Sequence, residues 1–280
     1  KQEVGKRLHC RSTDYYPELL ADADLVSVAV PTFAHHEVAK ACLEKGLSVL
    51  LEKPMTRTLA EADELIALAR AHGVVLQIGH IERFNEAVQA IKTLKGPFKF
   101  IEIHRLGPFS QRNMDIGVVL DLMIHDLDIV LDLAESPVVS VDAIGVNVLT
   151  EHEDIANVRL NLANGCVANI TASRVTMEAK RKIRIFSPEN YISIDYQKQE
   201  LVIYSLKKNR DPEEQNLMRL IDREHRVFGK QEPLKLELSS FVQAVREKRE
   251  PVVTAEQGRQ ALALALDICT QIRERGRQHL

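Results

Sequence analysis

The sequence predicts two unlike halves: an α/β half built on a parallel sheet, then an α+β half built on a mostly antiparallel one. Three observations carry that expectation. Short apolar, β-branched runs at 25–30, 47–51 and 74–78 are separated by helical stretches, the spacing of right-handed crossovers. After about residue 98 the grammar changes: strand candidates at 138–149, 155–163, 166–175, 182–187, 191–195 and 200–206 follow one another without helices between them. The chain has 280 residues, about two domains by the usual prior of 100–200 each.

Each element has a local reason. Leu25–Val30 is stopped by Pro31 and reads as a strand buried on both faces. His35–Lys45 reads as a helix ended by Gly46 at the C′ position. Leu47–Leu51 is a second buried strand, running into Glu52-Lys53-Pro54. Thr58 opens the next helix, and Glu61 three residues later completes a capping box; the helix stops at Gly73 and Val74–Ile78 follows as the third strand. In the second half Phe98–Leu106 reads as a strand and Asp115–Leu133 as a long, very apolar helix. Asn164-Gly165 signals a type I′ hairpin. Lys207–Asn216 is charged and reads as a loop, and helices at 236–248 and 254–275 close the chain. The expected boundaries are 1–82 and 83–280, with the C-terminal helix packing back on the first domain.

Composition narrows the function classes. Hydrophobic residues make up 45% and charged residues 28%, ordinary for a globular protein. A net charge of −3 with interspersed signs leaves no electrostatic footprint for nucleic acid, and no apolar run approaches the length of a membrane span. Cys10, Cys42, Cys166 and Cys269 lie far apart without metal-finger spacing, as expected of a reduced, cytoplasmic protein. Lys180-Arg181-Lys182 reads as a solvated sheet edge.

In open α/β sheets, ligands bind beyond the carboxyl ends of the strands. Two of those ends carry unusual residues: Pro31-Thr32 with His35 four residues past the proline, and Glu52-Lys53-Pro54. The 115–133 helix is apolar nearly all round, yet one polar stripe runs through it: Asp121, His125, Asp128 and Asp132 at i, i+4, i+7 and i+11. Ionised groups are costly to bury alone, so this face is expected to line a wet or ligand-filled cleft, with Asp126 off the stripe and reaching the surface. Carboxylates one turn either side of His125 favour imidazolium while burial opposes it, so it should titrate near neutrality, where general acid–base catalysis works best. A metal site using this stripe with His104 or His152 competes, but no paired-histidine spacing supports it. No GxSxG elbow supports a nucleophilic serine.

The segments VAVPTFAHHEVAKACLEKGLSVLLEKP, LQIGHIERFNEAV and DIGVVLDLMIHDLD closely resemble the Gfo/Idh/MocA family of NAD(P)-dependent oxidoreductases, in the family's order and over nearly the whole chain. The resemblance implies a Rossmann domain followed by an open-faced sheet domain, with NAD or NADP as cofactor. It implies that Lys53 is the active-site lysine and that Asp121 and His125 are its partners at the substrate C–OH. It places Pro31, Thr32, His35, Glu52, Lys53 and Pro54 near the cofactor, and it implies a homo-oligomer, a dimer or tetramer. Either Lys53 or His125 can take the hydroxyl proton; the sequence leaves that open. GHIERFN is most similar to the nucleotide-sugar branch, whose members oxidise C3 of UDP-N-acetylglucosamine or a related uronic acid. Arg83, Asn85, Arg105 and Arg174 would then meet a diphosphate or carboxylate, although a salt bridge is the commoner fate of an arginine. The family opens on a strand and a GxGxxG turn that holds the pyrophosphate. No GxGxxG occurs in these 280 residues. On the order of 45–50 residues, about one βαβ unit, would precede Lys1 in such a member. That gap motivates the rival expectation, a ligand sensor on the same fold; a metal-dependent lyase or hydrolase is a third.

Overall fold

The computed structural model describes residues 2–94, 97–110, 116–207, 215–229 and 232–278. The chain divides into two compact units: Lys1–Gly79 with Leu238–Glu256, and His80–Glu237 with Gln257–Leu280.

The first unit contains α1 (Gln2–Leu8), β1 (Leu25–Val28), α2 (Thr32–Glu44), β2 (Ser48–Glu52), α3 (Leu59–His72) and β3 (Leu76–Gly79). The strands are parallel in the order β1-β2-β3, Val26 opposite Val49 and Leu51 opposite Ile78. Val49 and Leu51 at the centre are fully buried, as are Ala39, Cys42 and Leu43 of α2 and Ala62 and Leu65 of α3. The punctuation expected from sequence is present. Gly46 adopts φ +73° just after α2, and Thr58 and Glu61 form a reciprocal capping box at the start of α3. The chain returns to this unit near residue 253, where the Ile78 amide donates to the Val253 carbonyl (3.3 Å). Because the strands are parallel, their carboxyl ends at Val28, Glu52 and Gly79 lie on one side.

The second unit holds α4 (Glu86–Lys92), β4 (Phe100–Leu106), a π-turn (Val119–Met123) continuing into α5 (Ile124–Ala134), and seven further strands. These are β5 (Val138–Val146), β6 (Ile155–Leu162), β7 (Val167–Ser173), β8 (Lys180–Phe186), β9 (Asn190–Asp195), β10 (Glu200–Leu206) and β11 (Ile221–Val227). Of the last two helices, α6 (Pro233–Glu247) belongs mostly to the first unit and α7 (Ala255–Gln278) mostly to the second. The sheet order is β11-β10-β9-β8-β4-β7-β6-β5, antiparallel except for the parallel pair β4–β7. Alternation gives it one dry face: Ile101, Ile103, Val158, Leu160, Ile170, Ile183, Ile185 and Ile194 join Leu127 and Val130 of α5 and Ala265 and Ile268 of α7 in one core. On the other face Phe100, Phe186, Tyr191 and Tyr204 lie directly opposite one another across four strands, with neighbouring rings 5.0–5.8 Å apart.

Several expectations need correction. The Asn164-Gly165 hairpin is not type I′: Gly165 has φ +80° but Asn164 does not have a positive φ. The Gly165 amide donates to Leu162 and the Leu162 amide to Cys166, a three-residue loop ending in a left-handed glycine. Lys180-Arg181-Lys182 opens β8, which lies between β4 and β9 and is not a sheet edge. β11 went unseen because its sequence IDREHRV lacks apolar alternation, which an edge strand can do without. Asp115 and most of the Lys207–Asn216 loop lie outside the described residues.

Candidate active site

In the first unit, the predicted residues gather where the sequence put them, beyond the carboxyl ends of β1 and β2. Lys53 directly follows β2; it is half-buried, its amide donates to Glu52 Oε2 (3.2 Å), and the Lys53–Pro54 peptide is cis. The Glu52 carboxylate lies over the last residue of β3, since a Cβ on Gly79 would fall 3.0 Å from Oε2. His35, in the first turn of α2, is 1% exposed. Its Nδ1 lies 2.8 Å from the Pro54 carbonyl and its Nε2 2.8 Å from the Val30 carbonyl, so it links the exits of both strands. α2 itself starts at Pro31 with no side-chain cap. Its first amides therefore have no side-chain acceptor, the arrangement a helix offers to an anionic or amide group of a ligand. Thr32, Glu52 and Lys53 beside it are half-buried. A glycine-rich pyrophosphate turn has no counterpart in the 280 residues.

In the second unit, Asp121 belongs to the π-turn and His125 to the first turn of α5. The Ile124 amide reaches the Val119 carbonyl, an i→i+5 bond, so the segment is not the uniform α-helix on which the stripe was drawn. Both side chains are half-buried. The His80 ring stands edge-on to His125, centroids 5.9 Å apart and planes at 88°. His80 was missed; its only signal was its place in GHIERFN, directly after the third strand.

Past His125 the acids serve another purpose. Asp126 does not reach the surface: it is fully buried and takes Arg105 in a bidentate pair, Nε and Nη2 at 2.8 and 2.7 Å. The third nitrogen of Arg105 donates to Glu82 (2.9 Å). Burial alone would push the Arg105 guanidinium down, but Asp126 and Glu82 hold it above its ordinary value. Asp128 does not line an open cleft either, whereas Asp132 borders a cavity whose lining includes Lys92, Phe98 and Asn164 but not His125. Asp128 binds Arg83 through two bonds of 2.6 and 2.8 Å, and Asp132 takes the remaining nitrogen of Arg83 together with Lys92. Arg174 is similarly occupied, by Asp154 (2.7 Å), Thr150 and the Ile116 carbonyl. Asn85 is buried and caps α4 by accepting from the Ala87 amide. Arg83, Asn85 and Arg105 are thus held inside the unit, the guanidinium nitrogens of both arginines and the Asn85 Oδ1 paired with protein. A pair of cations sits on two sides of α5 and fixes its rotation.

Among the described residues no group of three His, Cys, Asp or Glu is arranged to hold a metal. His104 pairs with Glu102 on the sheet's outer face, and His152 is exposed in the β5–β6 loop. Burial pushes the Cys42 thiol up to about 11 and Cys269 up to about 12, which leaves both protonated and unreactive at neutral pH. No described helix is long and apolar enough to cross a membrane.

Comparison with known proteins fits this geometry. Residues 1–80 match the oxidoreductase family with an NAD-binding Rossmann fold, and residues 96–193 match the GFO/IDH/MocA C-terminal domain. The chain is 38% identical over 268 residues to UDP-N-acetylglucosamine 3-dehydrogenase of Acidithiobacillus ferrooxidans, covering 95% of this chain and 84% of that protein. It is 26% identical over 266 residues to myo-inositol 2-dehydrogenase of Thermotoga maritima, 88% of this chain and 77% of that one. The solved structure of the first relative, GnnA, superposes with a TM-score of 0.88 at 37% identity over 97% of this chain and 85% of that chain. Levoglucosan dehydrogenase, solved with NADH and levoglucosan, shares the fold at a TM-score of 0.86 and 17% identity, over 98% of this chain and 86% of that chain.

Proposed function

The chain belongs to the Gfo/Idh/MocA family of NAD-binding oxidoreductases, and from that premise we propose that it oxidises a secondary hydroxyl of a nucleotide sugar, C3 of UDP-N-acetylglucosamine in the first instance. The observation that carries the substrate class is the 38% identity to a UDP-N-acetylglucosamine 3-dehydrogenase over 95% of the chain. Bound NAD or NADP would supply the hydride acceptor. The protein has to take the hydroxyl proton and hold the reacting C–H in place.

Lys53, Asp121 and His125 are the residues for that work. Lys53 and His125 form the acid–base pair, one accepting the hydroxyl proton while the other polarises the oxygen, and Asp121 orients them. Pro31, Thr32, Glu52, Lys53 and Pro54 bound the nicotinamide side; His35 contributes through the Val30 and Pro54 carbonyls it links. Arg83, Asn85 and Arg105 support substrate binding from behind, by fixing the elements they tie together. The aromatic row on the outer face of the sheet supports a homo-oligomer in which two sheets pack face to face, which light scattering after gel filtration would test. Four unpaired cysteines support a reducing, cytoplasmic setting.

The deciding assay follows reduction of NAD and NADP with UDP-N-acetylglucosamine, its uronic acid, and myo-inositol. Turnover with a nucleotide sugar that is lost in Lys53→Ala, at unchanged folding, is the expected result. Turnover of Lys53→Ala at the parent rate removes Lys53 from the mechanism. Tight sugar-nucleotide binding without turnover in any combination makes the protein a sensor.

A further inference from the structure

A helical segment begins with amide donors that its own turn cannot satisfy. In the segment carrying Asp121 and His125 they are met from elsewhere in the fold. The Val118 amide donates to the Glu153 carbonyl (3.0 Å), and the Val119 amide donates to the Glu153 carboxylate, Oε1 at 3.3 Å. Glu153 lies in the loop between β5 and β6, and its neighbour pins that loop. Fully buried Asp154 accepts from the amides of Val148, Leu149 and Thr150 and from Arg174, and Arg174 in turn donates to the Ile116 carbonyl (2.9 Å). Ile116, Val118 and Val119 are therefore all tied to this loop and to Arg174, which follows β7.

Gly117 sits between these ties. A Cβ there would fall within the Glu153 carboxylate, and the residue does not adopt the left-handed backbone that would itself call for glycine. Gly117 is there for room. Gly145 borders the same space, since a Cβ on it would lie 3.1 Å from Glu153 Cβ. The residue whose amide the carboxylate holds, Val119, also supplies the carbonyl of the i→i+5 bond that defines the π-turn. Asp121 lies within that turn and His125 just past it.

We propose that Glu153 is a positioning residue for the oxidation: its carboxylate, admitted by the absence of a side chain at Gly117, fixes the π-turn and so the register of Asp121 relative to His125. The inference rests on the reading that those two residues act at the reacting carbon. It is tested in the full chain with Gly117→Ala, Glu153→Ala, Glu153→Gln and the Gly117→Ala/Glu153→Ala double variant. Each of the first two should lower kcat by about tenfold or more, with KM for the dinucleotide within about twofold. Glu153→Gln, whose amide oxygen still accepts from Val119, should recover to within about threefold of the parent. If Gly117→Ala acts by expelling the carboxylate, it should cost less than about twofold once Glu153 is already alanine. Multiplicative losses in the double variant, a Glu153→Gln no better than Glu153→Ala, or a lowered melting temperature with kcat intact would each overturn the proposal. Amide hydrogen exchange at Val118, Val119 and Ile124 reads the same turn without any substrate. It should speed up in Gly117→Ala and Glu153→Ala but not in Glu153→Gln; unchanged exchange sinks the positioning claim, whereas a parent enzyme without turnover sinks only the assignment of the site.

Discussion

The two halves of one helical segment use the same residue types for opposite ends. Asp121 and His125, at its start, are half-buried, with the His80 ring edge-on to His125. Asp126, Asp128 and Asp132, within the next two turns, are locked to Arg105, Arg83 and Lys92. Spacing along the helix does not distinguish the two groups. Burial does: Asp126 and Asp128 are fully buried, and cations from β4, from the turn before α4 and from α4 itself reach the later acids and turn them into fasteners. A buried carboxylate with a bidentate arginine orients the helix; the polar groups ahead of it are the ones the proposed chemistry uses.

The largest effect that sharpens this contrast is on rate. His125→Ala should lower kcat by about 10²- to 10⁴-fold, the usual contribution of a positioned acid–base group, while the urea unfolding midpoint stays where it is. Asp126→Ala should do the reverse in kind. It leaves Arg105 inside the unit with Glu82 and the Tyr196 ring but without its bidentate carboxylate, and loss of about 3–5 kcal/mol is expected from denaturant curves. If Asp126→Ala unfolds like the parent, the division into fasteners and chemistry fails.

Acid provides a third probe. Burial opposes the Asp154 charge, yet the Leu149 amide, Arg174 and the Thr150 and Val148 amides outweigh it and hold the carboxyl well below its ordinary range. A carboxyl depressed on folding contributes stability that is full above its unfolded value, about 3.9, and is lost as pH falls below it. Unfolding midpoints taken between pH 6 and pH 3 should therefore fall more steeply for the parent than for Asp154→Asn, which has no such proton to take up. The smallest effect is at Lys92, whose side chain is 44% exposed. Lys92→Ala should cost about 0.2–1 kcal/mol, because Asp132 keeps Arg83 and solvent screens the pair.

Much of this was legible in the sequence, for reasons that are local. Pro31, Gly46, Gly73 and the Thr58–Glu61 box act within a turn or two, so the α/β half could be read almost element by element. Asp121 and His125 stood out in the sequence because family resemblance and helix periodicity agreed on them, and Lys53 because it lies between a buried strand and a proline. The rest depended on distant partners. Nothing near Asp126 announces Arg105, twenty-one positions earlier, and nothing near Gly117 announces Glu153, thirty-six positions later. The π-turn was invisible because its i→i+5 bond is sustained by that remote carboxylate rather than by a residue pattern. β11 was hidden by its charges, and the hairpin at Gly165 by a dipeptide that serves two loop types.

The central place of β4 reaches into how the molecule comes to exist. β4 is made before β5, β6 and β7, yet it ends up between β7 and β8, with Phe100 facing Val167 on one side and Phe186 on the other. Its slot has no walls until most of the second unit has been synthesised, so this strand waits for its neighbours and the sheet closes on long-range pairings, the slow route in folding. Arg105 rides on β4. The arginine that fastens Asp126 therefore arrives only with the finished sheet, and a chain caught halfway would carry the helix of Asp121 and His125 without that fastening.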